Sequence, residues 1–203
     1  MKCFNGSTHR IVAGLFSIVI AAIVPQEFAM AQELKEAPDQ IEKNGCLHGD
    51  PEQNLQDLGI VLPTPAAPIA NFVPVVRVGK LLYLSGNGPR LANGSFITGK
   101  LGLNPGQLSV DVGYDAARIT AINQLGVLKA ELGDLKRVKR IVKLFGMVNS
   151  DQNFTDQPKV INGASDLLVS VFGECGKHAR SAVGMAALPF NTAVEIDMVV
   201  EVR

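Results

Sequence analysis

The 203-residue chain has no tryptophan, three histidines, three cysteines and two tyrosines, and its 19 basic residues are matched by 19 acidic ones. Each scarcity closes off a class of function. Without an excess of positive charge there is no electrostatic footprint for nucleic acid, and none is expected as a partner. His9 lies in the leader, Cys46-x-His48 lies close behind it and His178 is far away. Three or four metal ligands are therefore not gathered locally, and no metal is expected. The nucleophile elbow G-x-S-x-G is absent, and Ser85, Ser165 and Ser181 show no His base in the sequence, which argues against a serine hydrolase. Gly86-x-Gly88 runs into Pro89 and a loop, so the helix N-terminus that a dinucleotide or P-loop site needs is missing. With 47% hydrophobic and 19% charged residues, the composition is globular rather than disordered, collagenous or coiled-coil.

The one extended apolar stretch, Ile11 to Val24, is 14 residues long, too short to cross a bilayer comfortably. Lys2, His9 and Arg10 precede it and Ala29-Met30-Ala31 follows, a pattern that reads as a signal peptide over residues 1–31. The mature chain is then exported and periplasmic, with no membrane contact after cleavage; an uncleaved anchor is the alternative. Cys3 leaves with the leader. Cys46 and Cys175 remain, to pair with each other, to pair between subunits or to stay free.

Residues 32–70 hold prolines at 38, 51, 63, 65 and 68 and several acids. They read as an extension with one short helix around Pro51 to Leu58, ahead of a domain at 71–203. In that domain, Phe72 to Val78, Gly79-Lys80 and Leu81 to Ser85 form a hairpin pattern. A loop with a short strand at Ser95 to Thr98 follows. Val112 to Leu132 predicts a helix, with Ala121, Leu125, Leu128 and Leu132 on one face and Gly133 at the C-cap. Val138 to Val148 predicts a strand, Val142, Leu144 and Val148 to one side and Lys139 and Lys143 to the other. Pro158 opens a second helix to about Val171, and strands at Ala179 to Leu188 and Ala193 to Val202 close the chain. The order β-β-(β)-α-β-α-β-β predicts an α+β fold, a mixed sheet with two helices on it. Lys136, Arg137, Lys139, Arg140 and Lys143 lack interleaved aromatics and read as a solvated strand edge.

Arg180 stands out, because an arginine in a strand of small apolar residues is costly to bury without an answering anion. It reads as a ligand anchor or as a structural ion pair with Asp197 or Glu195. The segments Ala179-Arg180-Ser181-x-Val183, Leu188-Pro189 and Val194-Glu195-Ile196-Asp197 resemble the end of the Rid family, also called YjgF/YER057c/UK114 and often labelled endoribonuclease L-PSP. Tyr83-Leu84-Ser85-Gly86 and Val160-Ile161-Asn162-Gly163-Ala164-Ser165 extend the resemblance over about residues 68 to 203.

The resemblance implies a chorismate-mutase-like fold and a homotrimer whose clefts are lined by two neighbouring subunits. It also implies hydrolysis of reactive enamines and imines, of the 2-aminoacrylate or 2-iminopropanoate type, to a 2-keto acid and ammonia, with no cofactor. On it, Arg180 grips the substrate carboxylate and Asp197 positions the attacking water, while Asn162, Ser85, Gly86 and Phe72 shape the cleft. Three positions depart from the family pattern: Asp197 stands for a Glu, Phe72 for a Tyr and Ala182 for a Cys. The alternative is a non-catalytic trimer that binds small carboxylate metabolites such as keto acids in the same cleft.

Overall fold

A computed structural model describes residues 49–67 and 70–203, which lie in one compact unit. The signal-peptide reading, Cys46 and residues 32–48 and 68–69 of the proline-rich stretch fall outside the described residues. The elements are α1 (Pro51–Asp57), β1 (Val75–Val78), β2 (Leu81–Asn87), α2 (Val110–Leu132), β3 (Val138–Asn149), α3 (Gln157–Phe172), β4 (Ala179–Met185) and β5 (Val194–Val202). The expected strand at Ser95 to Thr98 reduces to two isolated bridges, Arg90 to Phe96 and Thr98 to Thr192.

The sheet order is β1-β2-β5-β3-β4, antiparallel except for the β3–β4 pair, which α3 connects. Strand β5 is thus central. Its even-numbered residues, Val194 to Val202, are all buried, and Glu195, Asp197, Val199 and Glu201 between them are half-buried. Helices α2 and α3 cover the buried face. Apolar alternation along β5 dictates this, since a strand with one wet face exposes every second side chain.

Helix α2 starts two residues before its expected start because the Ser109 hydroxyl caps it by accepting from Val112 N, and it stops at Gly133 with φ 75°. On β3 the register against β5 slips between Ile141 and Lys143. Ile141 is therefore the buried residue and Val142 the half-exposed one, contrary to simple alternation. The basic cluster is not on a sheet edge either, because β3 lies between β5 and β4. Its charges are engaged locally: Lys139 Nζ lies 2.8 Å from Glu201, Lys136 Nζ 2.8 Å from Asp50, and Lys143 Nζ donates to Ser181 Oγ at 3.0 Å.

The short helix expected near Pro51 is α1, and it docks on the body. Leu55 is buried, Asn54 Nδ2 donates to the Val171 carbonyl at 2.8 Å, and Glu52 takes both Lys129 Nζ at 2.7 Å and Leu135 N at 3.1 Å. Val171 O is one of the carbonyls that the end of α3 leaves without an intrahelical partner, and α1 satisfies it. Beyond α1, the Pro63 carbonyl lies against Gly126 in mid-α2, where a Cβ would come within 2.5 Å of it.

Helices α2 and α3 cross closely at Gly163, where an added Cβ would collide with the Tyr114 carbonyl. Alanine is intrinsically better in a helix by about 0.8–1.0 kcal/mol. A clash with backbone has no rotamer to relieve it, and overpacking costs about 1–3 kcal/mol. Gly163→Ala is therefore expected to lower stability in chemical denaturation, whereas propensity alone predicts a gain.

Candidate functional site

The residues expected to form the site fall into two groups. A cleft of about 420 Å³ opens between the end of β2, β5, the 63–67 segment and the turn Pro189–Asn191, and its lining includes Phe72, Ser85, Gly86 and Glu195. Asp197 is not part of that lining. It lies two residues further along the same face of β5, opposite Phe145. The acid in the cleft is Glu195, and Gly86 makes room for it: a Cβ there would run into the Glu195 carboxylate.

The backbone at Ser85 and Gly86 is positioned by a residue that periodicity hides. The β2–β5 register breaks between Leu84 and Asn87, and buried Gln124 of α2 donates its amide to Ser85 O at 3.0 Å and to Ile196 O at 2.6 Å. Ser85 Oγ in turn donates to Val73 O at 2.7 Å, tying down the strand entry that carries Phe72. At the far side of the cleft, Phe190 and Asn191 adopt φ of 55° and 56°, a region costly for residues with side chains. The Asn149 amide, donating to Asn191 Oδ1 at 2.9 Å, helps hold this turn, and Phe190 is left 75% exposed at the cleft.

Arg180 and Asn162 form the second group, on the helix-facing side of edge strand β4. Arg180 pairs in register with Leu144, whereas Asp197 pairs with Phe145 and faces the open side. Alternation thus separates Arg180 from both acids of β5, and neither forms an ion pair with it. Instead Arg180 Nη1 donates to Asn162 Oδ1 at 2.8 Å and to Ser165 Oγ at 3.0 Å. These contacts use both Nη1 hydrogens. Among the described residues no other partner takes the Nε and Nη2 edge, the pair of parallel donors that suits a carboxylate.

Ser165 also meets His178, 13 residues away. Its Oγ lies 3.1 Å from Nε2, and Nδ1 lies 2.6 Å from the Gly176 carbonyl. The expectation that Ser165 lacks a histidine base is thereby corrected: the Gly173–Gly176 turn folds His178 back over α3. Burial, with Arg180 adding to it, holds the imidazole below its ordinary pKa and so neutral at pH 7. Burial raises Glu195, and Asp197 nearby raises it further; burial also raises Asp197, against Lys143. Among the described residues there is no cluster of three or more potential metal ligands, and Cys175 is buried and unpaired.

The fold is that of a chorismate-mutase-like domain: five mixed strands layered with helices. The family model "YjgF/chorismate_mutase-like, putative endoribonuclease" matches residues 52–202, and the chain belongs to this YjgF/Rid family. That match takes in α1 and the 63–67 segment, ahead of residue 71. Protein TCP17 of Trypanosoma cruzi is 52% identical over 151 residues, 74% of this chain and 92% of that protein. A 2-iminobutanoate/2-iminopropanoate deaminase of Dermatophagoides farinae is 28% identical over 149 residues, 70% of this chain and 96% of that one. The crystal structure of protein Atu1372, of unknown function, from Agrobacterium tumefaciens superposes with a TM-score of 0.69 at 45% identity, covering 75% of this chain and 92% of that one.

A raised carboxyl pKa means that the ionised form of Glu195 costs stability in the folded state. That cost is absent below the ordinary glutamate pKa, builds up above it and is complete once pH exceeds the raised folded pKa. Glu195→Gln is expected to stabilise the unliganded protein at pH 7. The gain should vanish below about pH 4, where an ordinary glutamate is protonated in both states. Urea denaturation at the two pH values checks this.

Proposed function

We propose that this protein is a hydrolytic deaminase of small imines and enamines bearing a carboxylate, working as a homotrimer. In the trimer, Arg180 of one subunit would reach the Phe72–Ser85–Gly86–Glu195 cleft of its neighbour. The observation that carries the reading is the division of labour itself. A guanidinium with a free donor edge lies at a sheet edge, and a half-buried carboxylic acid lies in a separate cleft of the same chain. Neither half suffices for the reaction alone, and a neighbouring copy supplies the other.

The open face of the sheet supports assembly. Val76, Val78 and Tyr83 are exposed there, beside half-buried Phe145, Met147 and Val199, with no second helix layer among the described residues. An apolar face of this kind calls for a protein cover. The D. farinae relative, named as an imine deaminase, supports the chemistry.

In the reaction, the Arg180 Nε and Nη2 donors hold the substrate carboxylate. Glu195, rather than Asp197, holds the attacking water and exchanges its proton. A raised pKa suits a group that must both take and give a proton near neutral pH. The imine carbon is already electrophilic, so orientation supplies much of the acceleration. Ammonia leaves from the carbinolamine and a 2-keto acid remains. With residues 1–31 serving as an export signal, the imine would come from an amino-acid oxidation outside the cytoplasm.

The test uses 2-iminopropanoate generated by an amino-acid oxidase and trapped with semicarbazide. Wild type should speed the loss of trappable imine, Arg180→Ala should abolish the effect, and Glu195→Gln should reduce it by about 10²–10⁴-fold. Asp197→Asn should retain activity and shift its acid limb to lower pH, because the charge that raises Glu195 is gone. Sedimentation should give three subunits. Binding of 2-keto acids through Arg180 with no turnover of any imine would overturn the enzyme reading and leave a binding protein.

A further inference from the structure

We propose that Ser165 is an activated nucleophile, with His178 as its general base, forming an acyl-transfer site for small esters or thioesters beside Arg180, whose guanidinium it shares with the proposed deaminase site. The three parts such a site needs lie within hydrogen-bond reach of one another. A carbonyl only accepts, so the 2.6 Å contact with Gly176 O fixes the His178 proton on Nδ1. Nε2 then carries a lone pair, and the Ser165 hydroxyl donates to it at 3.1 Å. The Gly176 carbonyl thus does the orienting that a carboxylate does elsewhere, and the nucleophile–base–orienter arrangement is complete.

The surroundings push the hydroxyl towards reactivity. Arg180 Nη1 donates to Ser165 Oγ at 3.0 Å, which stabilises negative charge on that oxygen as its proton leaves. The same guanidinium disfavours a charged His178, and burial does so more strongly, so the base is free at neutral pH. The other charged groups nearby are engaged: Asp166 of α3 accepts from Tyr114 Oη of α2 at 3.0 Å, and Glu174 pairs with Lys177 at 2.7 Å. The Arg180 guanidinium, 3.0 Å from Ser165 Oγ through Nη1, is the cation beside the nucleophile that would answer a carbonyl oxygen as it becomes an oxyanion. Ser165, Asn162, His178 and Arg180 are all half-buried, so a small acyl group can reach them.

In the step itself, Ser165 Oγ bonds to the acyl carbon as its proton passes to His178 Nε2. The bond to the leaving oxygen or sulfur then breaks, and His178 returns the proton to the leaving group. Water repeats the sequence on the acyl-serine, releasing the acid and regenerating the hydroxyl. No metal or redox partner takes part.

The experiment treats the purified protein with an alkyl fluorophosphonate and maps the adduct by peptide mass spectrometry, with p-nitrophenyl acetate as the turnover probe. Expected are stoichiometric labelling of Ser165, a burst of p-nitrophenolate, and a labelling rate that rises with pH to a plateau below the ordinary histidine value of about 6.5. His178→Gln should slow labelling by about 10²–10⁴-fold. Should Ser165→Ala prove unstable, Ser165→Cys keeps the volume. Its alkylation by iodoacetamide should then be fast at pH 7 and slowed by His178→Gln. Labelling confined to other residues, or a Ser165 rate indifferent to His178→Gln, would overturn the proposal. Imine turnover is a separate measurement, so failure here is distinguishable from failure of the deaminase reading.

Discussion

The two-residue alternation of β5, at the centre of the sheet, is the constraint on which everything else rests. Val194, Ile196, Met198, Val200 and Val202 must face the helices, because burying five apolar side chains is the main reward the strand offers. Glu195 and Asp197 are thereby committed to the open face. Arg180, two strands from β5 and in register with Leu144 of the neighbouring β3, is committed to the other. Charges of opposite sign that lie close in sequence cannot neutralise one another across a sheet, so each is left to find another partner.

Close approach of layers is the second theme. Gly146 lets Ile161 of α3 down onto β3, Gly163 lets α3 meet the backbone of α2, and Gly126 lets the Pro63 carbonyl onto α2. With the layers this near, Gln124 reaches from a helix to two carbonyls left free where the β2–β5 register breaks. A buried amide would be expensive without such partners. The shape of the cleft floor is thus set by a helix residue that is not itself part of the cleft lining.

Helix ends and the hairpin were legible in the sequence because their signals are local. Gly133, Pro158 and Gly79-Lys80 act on the residues beside them, whereas the Ser109 cap went unread and α2 began two residues earlier than expected. Which face a residue takes was legible only where the register stays regular. The slip at Ile141 reversed Val142, and nothing in the local pattern announces such a slip. Glu195 and Asp197 have the same parity on the same strand, so alternation could not choose between them. The choice rests on Gly86, which faces Glu195 from the neighbouring strand. The Ser165–His178 contact crosses a helix, a turn and a strand entry, and no motif spacing describes it.

The wall of the cleft formed by residues 63–67 carries two prolines, Pro63 and Pro65, and two alanines, Ala66 and Ala67. Such residues have few backbone or rotamer states to give up, so the wall is ordered at small entropic cost before any guest arrives. A surface stiffened in this way does not mould itself around what enters. On the proposed reading, the cleft would sort its guests by refusing those of the wrong shape, its selectivity written in rigidity as much as in contacts.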